Sequence, residues 1–116
     1  GDRPRSYIVN TQPQAGSVGL TQDEAELAGY RVARKSLPVL SSTHTSDGFV
    51  ELMIDTPSGR ILGASIVAPE AAQAIATLSL FIAMNRTWRD LLATPLTEGT
   101  LMHHLQTLAR QFDGVE

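Results

Sequence analysis

Cysteine is absent from all 116 residues, which removes disulfides, thiolate nucleophiles, dithiol redox pairs and cysteine-bound zinc from the chemistry this chain can perform. It fits a cytoplasmic location. Basic residues are also in short supply. Nine Lys and Arg stand against twelve Asp and Glu, a formal charge of −3, so there is no cationic surplus of the kind that neutralises phosphates, and nucleic acid is excluded as the expected partner. Aromatic residues make up 5% of the chain, too few for a stacking platform, and Trp88 and Phe81 read as packing residues. The longest apolar stretch, Ala74 to Met84, falls short of the ~20 residues that span a bilayer, and no signal-peptide core follows Gly1-Asp2-Arg3. With 42% hydrophobic residues, what remains is one ordinary globular domain over residues 1–116.

Periodicity places the elements. Tyr7-Ile8-Val9 is a short β-type run closed by Asn10-Thr11-Gln12-Pro13. Thr21-Gln22-Asp23-Glu24 has the spacing of a capping box and starts a helix that Gly29 stops. Tyr30 to Leu40 suits a strand with at least one wet face, and Pro38 makes its far end an edge or a break. Val50, Leu52 and Ile54 alternate with Phe49, Glu51 and Met53 up to the turn Thr56-Pro57-Ser58-Gly59, and Ile61 to Val67 resumes as the second strand of a hairpin. Ser41 to Asp47 is either a loop or the rim of a further strand. After Pro69 the pattern turns helical, with Glu70 complementing the helix dipole. Ala71 to Met84 has only Gln73, Thr77 and Ser79 as polar residues. A helix so apolar must be buried on more than one side, against another helix or another subunit. Thr87 or Asn85 caps a short helix through Leu92, and Leu101, Leu105, Leu108 and Phe112 form the apolar stripe of a last helix over Thr97 to Phe112.

Strand, helix, antiparallel strands and a run of helices make an α+β fold. At this point the residues resemble something specific. Pro13, Ser17-Val18-Gly19-Leu20-Thr21 with Glu24-Ala25, Gly48-Phe49-Val50 running into Leu52-Met53-Ile54-Asp55, Arg60-Ile61-Leu62-Gly63-Ala64, Val67-Ala68-Pro69-Glu70-Ala71, and Thr87 with Asp90-Leu91 together are similar to the C-terminal dimerisation domain of the pyridine nucleotide-disulfide oxidoreductases. That family includes glutathione reductase, dihydrolipoamide dehydrogenase and mercuric reductase. The resemblance implies a small antiparallel sheet packed on helices. It also implies a homodimer contact, and separate FAD- and NAD(P)H-binding domains elsewhere in a parent enzyme. The Gly-x-Gly-x-x-Gly fingerprint and the cysteine pair are absent from these residues, so the expectation is a domain excised from a longer flavoenzyme, with no cofactor or metal of its own and inert alone. Arg3-Pro4-Arg5-Ser6 leading straight into the first strand agrees with excision. The competing reading is a free-standing interaction or small-ligand module that reuses the fold.

In most members of the family a histidine before a proline, oriented by a glutamate, acts as acid/base toward the partner's redox thiols. Here the stretch is Ala93-Thr94-Pro95-Leu96-Thr97-Glu98-Gly99. Threonine does not exchange protons near neutral pH, so Thr94, Pro95 and Glu98 are a degenerate version of that motif and no catalytic residue is expected. Mercuric reductases are similar in lacking the histidine, but carry a C-terminal cysteine pair that is missing here. The expected subunit contact draws on Leu78, Leu80, Phe81, Ile82, Met84, Leu101, His104 and Leu105. His103 and His104, with His44 or Glu98, do not make a metal site, because neighbours on a helix point about 100° apart; at an interface, His104 would make dimerisation sensitive to pH. Ser17 to Thr21 reads as an anion-binding loop or, more simply, as punctuation before the capped helix. A Gly-x-Ser-x-Gly elbow, the mark of a serine hydrolase, is not present.

Overall fold

The computed structural model describes residues 4–9, 14–39, 48–95 and 100–116. Five strands, β1 (Ser6–Val9), β2 (Ala15–Gly19), β3 (Val32–Val39), β4 (Gly48–Asp55) and β5 (Ile61–Val67), form one antiparallel sheet in the order β1-β2-β5-β4-β3. The helices are α1 (Gln22–Leu27), α2 (Ala71–Ala83), α3 (Trp88–Ala93) and α4 (Thr100–Arg110). This is the α+β arrangement the patterning implied.

Local chemistry fixes the ends. Thr21 Oγ accepts from the Glu24 amide at 3.2 Å while Glu24 Oε1 accepts from the Thr21 amide at 2.9 Å, the reciprocal box that starts α1. Thr87 and Asp90 repeat the device at α3, at 3.3 and 2.9 Å, so Thr87 is the cap and Asn85 has another use. With φ of 56°, Asn85 turns the chain out of α2. At the other end of α2, Glu70 sits at φ 67° and makes no side-chain cap bond; Gln14 Oε1 accepts from the Ala72 amide instead, at 3.4 Å.

Alternation along β4 sends Val50, Leu52 and Ile54 to the face that α2, α3 and α4 cover, where they meet Ile66 and Ala64 of β5, Leu78 of α2, Leu91 of α3 and Leu105, Leu108 and Phe112 around α4. Each large side chain fully buried there contributes about 1.5–3 kcal/mol. Ser41 to Asp47 and Thr97 to Gly99 lie outside the described residues.

The structure adds a strand where the sequence showed only punctuation. Ala15-Gly16-Ser17-Val18-Gly19 pairs with β1 on one side and β5 on the other, which removes the anion-binding-loop reading. Its glycines are steric requirements. A Cβ on Gly16 would lie 2.8 Å from Ile8 Cδ1 and 2.9 Å from Ile75 Cγ1, and one on Gly19 would lie 2.3 Å from the Leu62 carbonyl oxygen. The chain there must be bare for α2 and β5 to approach.

Candidate functional site

The eight residues expected at a subunit contact do not share one surface. Leu78, Ile82, Leu101 and Leu105 belong to the chain's own core, which corrects their assignment. Leu78 and Leu105 have no surface left to offer a second subunit, and Leu101 and Ile82 keep less than a tenth of theirs. Phe81 is half-buried and packs against that core. His104 is half-buried, and the neighbouring His103 is exposed. Leu80 and Met84 are the two that face outward, 62% and 57% exposed. Ala76 and Ala83, absent from the expected set, are exposed beside them. The period of α2 explains the split: Ala71, Ala74, Ile75, Leu78 and Ile82 follow the helical repeat onto the sheet, leaving an outer stripe of Ala76, Leu80, Ala83 and Met84. No residue of α2 carries a charge. A two-fold contact sets a patch against its own copy, so like charges would repel across it, and an uncharged stripe escapes that penalty.

Thr94 ends α3 with both its side chain and its backbone engaged. Its hydroxyl donates to the Asp90 carbonyl at 2.9 Å, and its own carbonyl accepts from Gln106 Nε2 at 3.1 Å. The same Nε2 donates to the Leu91 carbonyl, also at 3.1 Å. Gln106, 7% exposed, is a buried polar side chain of α4, and it ties that helix to carbonyls at the end of α3, of which that of Leu91 also accepts from the Thr94 amide at 3.4 Å. The sequence reading missed it, since a lone glutamine beside an apolar stripe gives no signal. Pro95 is exposed, and Glu98, like His44, lies outside the described residues. Among the described residues no group of three His, Cys, Asp or Glu is placed to hold a metal ion.

The opposite face of the sheet is polar. Arg34 Nε lies 3.7 Å from Glu51, and Arg5 pairs with Glu24. The Thr21 amide, followed by the charge and the guanidinium hydrogen bond of Arg5 and by the Thr21 hydroxyl, holds the Glu24 carboxyl below its ordinary range despite some desolvation. Burial pushes Asp55 up, but the Ser58 hydroxyl and the Arg31 and Ser58 amides outweigh it, so this carboxyl also ends below the ordinary value.

Residues 6–109 match the family model described as the pyridine nucleotide-disulphide oxidoreductase dimerisation domain. The chain belongs to this family. Its dimerisation domain is 42% identical over 98 residues to dihydrolipoyl dehydrogenase of Halobacterium salinarum, an alignment covering 80% of this chain and 21% of that protein. It is 30% identical over 111 residues to mercuric reductase of Shigella flexneri, covering 91% and 20%. The chain therefore spans about a fifth of the length of these curated relatives. Among solved structures, the HOCl-induced flavoprotein disulfide reductase RclA from Escherichia coli superimposes with a TM-score of 0.81 at 21% identity, over 99% of this chain and 27% of that one. A NAD-dependent persulfide reductase from A. fulgidus gives 0.75 at 21% identity, over 93% and 22%. Both likenesses establish the fold of the dimerisation domain. Among the described residues no helix is long and apolar enough to cross a membrane.

Proposed function

We propose that this dimerisation domain holds together two subunits of an FAD- and NAD(P)H-dependent oxidoreductase and has no activity alone. The observation that carries the reading is the outer stripe of α2: Leu80 and Met84 stand more than half exposed on a helix without a single charge. Exposed apolar side chains grouped on one helix face mark a contact surface. In this reading Thr94 takes the place of the family's acid/base histidine. Its hydroxyl is committed to the Asp90 carbonyl, and a threonine has no proton to exchange near neutral pH. The segment then shapes the mouth of the partner's active site without taking part in proton transfer. FAD and NAD(P)H belong to other domains of the parent chain.

The test is solution mass by light scattering over roughly a hundredfold range of concentration. A dimer that persists on dilution supports the reading. Leu80→Asp should give a folded monomer, because the new charge would be desolvated at the contact without a partner, while the exposed position spares the fold. Unchanged mass in both Leu80→Asp and Met84→Asp would remove α2 from the interface.

A further inference from the structure

Beneath the end of α2 lies a cavity of about 550 Å³, within the size range of small-ligand sites. Leu20, Leu62, Ile82 and Ala83 give it an apolar wall, and Arg60 and Tyr30 supply polar groups. Among the described residues no Asp or Glu lines it.

The guanidinium of Arg60 is in an unusual electrostatic position. The residue is half-buried, its Nε is buried without a hydrogen-bond partner, and among the described residues no carboxylate comes within ion-pair distance of it. The other arginine on the wall, Arg5, is already paired with Glu24. Asp55, the nearest acid along the strand, directs its carboxylate to the Arg31 amide and the Ser58 hydroxyl. Three of the last carbonyls of α2 are already taken. Those of Leu80, Phe81 and Ile82 accept from the amides of Met84, Arg86 and Asn85. A partly desolvated cation is normally paired, because its lost hydration has to be replaced. Here the protein supplies one acceptor: Arg60 Nη1 donates to Tyr30 Oη at 2.8 Å, with the guanidinium carbon 5.5 Å from the ring centre. That bond also orients the phenol. By accepting from Arg60, Tyr30 Oη keeps its own proton for a further acceptor.

The backbone holds both groups in place. The Arg60 amide donates to Ser58 Oγ at 3.1 Å and its carbonyl accepts from the Asp55 amide at 2.9 Å. The Tyr30 amide donates to the Ala25 carbonyl at 3.1 Å. Two donors on fixed backbone, one charged and one neutral, therefore border an apolar cavity that lacks the anion its cation calls for.

We propose that this cavity is a binding site for a carboxylate carried on a compact apolar body, with Arg60 and the Tyr30 hydroxyl holding the carboxylate and the Leu20–Leu62–Ile82 wall taking the apolar part. Such a group comes either from a free small acid or from an acidic side chain flanked by apolar residues on a partner protein.

The experiment is an NMR titration of the 116-residue protein with 3-phenylpropionate, its neutral amide, inorganic phosphate, and a blocked Leu-Glu peptide. Saturable shifts confined to the amides of Gly19, Leu20, Leu62 and Ala83 are expected with the acid or the peptide. The acid alone identifies a small-molecule site, and the peptide alone a partner's side chain. Arg60→Met should weaken binding about tenfold or more, as expected for loss of a hydrogen bond to a charged group. Tyr30→Phe should weaken it less and leaves the apolar wall intact, so it serves if Arg60→Met fails to fold. Three results would overturn the proposal: no localised shift up to roughly 10 mM of the acid or the peptide, equal binding of the neutral amide, or unchanged affinity in folded Arg60→Met or Tyr30→Phe. Phosphate binding as tightly as the acid would overturn the role of the apolar wall.

Discussion

The two faces of the sheet are built from adjacent residues of the same strands and have opposite fates. On the helix-covered face Val50, Leu52 and Ile66 are fully buried, while on the other face Phe49 is 39% exposed and Tyr7 60%. Across the five strands of the open face runs the row Tyr7, Ser17, Ser65, Glu51 and Ser36. Among the described residues its α1 end alone is roofed, by the small cluster of Ala25, Met53 and Leu62. Stability is thus concentrated on one side, and the other side is free to carry polar and charged groups.

Substitutions on β4 and on α4 test this contrast. Leu52→Ala empties part of the main core and should cost about 2–5 kcal/mol in urea unfolding; a cost below 1 would mean that the helices do not pack on this face as described. Gln106→Leu should cost about 1–3 kcal/mol, since the Thr94 carbonyl loses the Gln106 donor and the Leu91 carbonyl keeps only the long bond from the Thr94 amide. Restoration of stability by Gln106→Asn would show that any amide suffices, whatever its reach. Asp55 supplies a smaller, pH-dependent effect. Its folded pKa is lowered from 3.8, so its contribution is fully present above that value and is lost as pH falls through the lower folded value. Thermal melts of Asp55→Asn should accordingly show a flatter loss of stability below about pH 4 than the parent protein. The smallest change belongs to the open face. Glu51→Ala removes a solvent-screened pair with Arg34 and should cost less than about 1 kcal/mol; a larger loss would show that this face is more tightly organised than its exposure indicates.

Much of the site was legible and part of it was not, for reasons visible in particular residues. Thr21-Glu24 announces α1, because a capping box is satisfied within four consecutive residues, whereas for α3 the sequence offered Thr87 and Asn85 and the structure chose Thr87. The family, too, was legible from motifs spread along the chain. The expected interface set was divided by the fold, with Leu78, Ile82, Leu101 and Leu105 in the chain's own core and Leu80 and Met84 exposed. Leu78 and Leu80 are equally apolar, and on an uncharged helix only Gln73 and Thr77, on the side of Leu80, hint at which of them turns outward.

The sequence by itself determined the capped helices, the β4–β5 hairpin and the stripe of Leu101, Leu105, Leu108 and Phe112, since each is a repeat or a bond between near neighbours. Tertiary structure alone decided that Ala15–Gly19 is a strand, for its backbone partners lie in β1 and β5 and its glycines are explained by Ile75 and Leu62. It alone decided which side of α2 meets the sheet, and it alone brought Tyr30 to Arg60 across 30 residues. Those features rest on distances between parts of the chain far apart in sequence, and local periodicity carries no information about such distances.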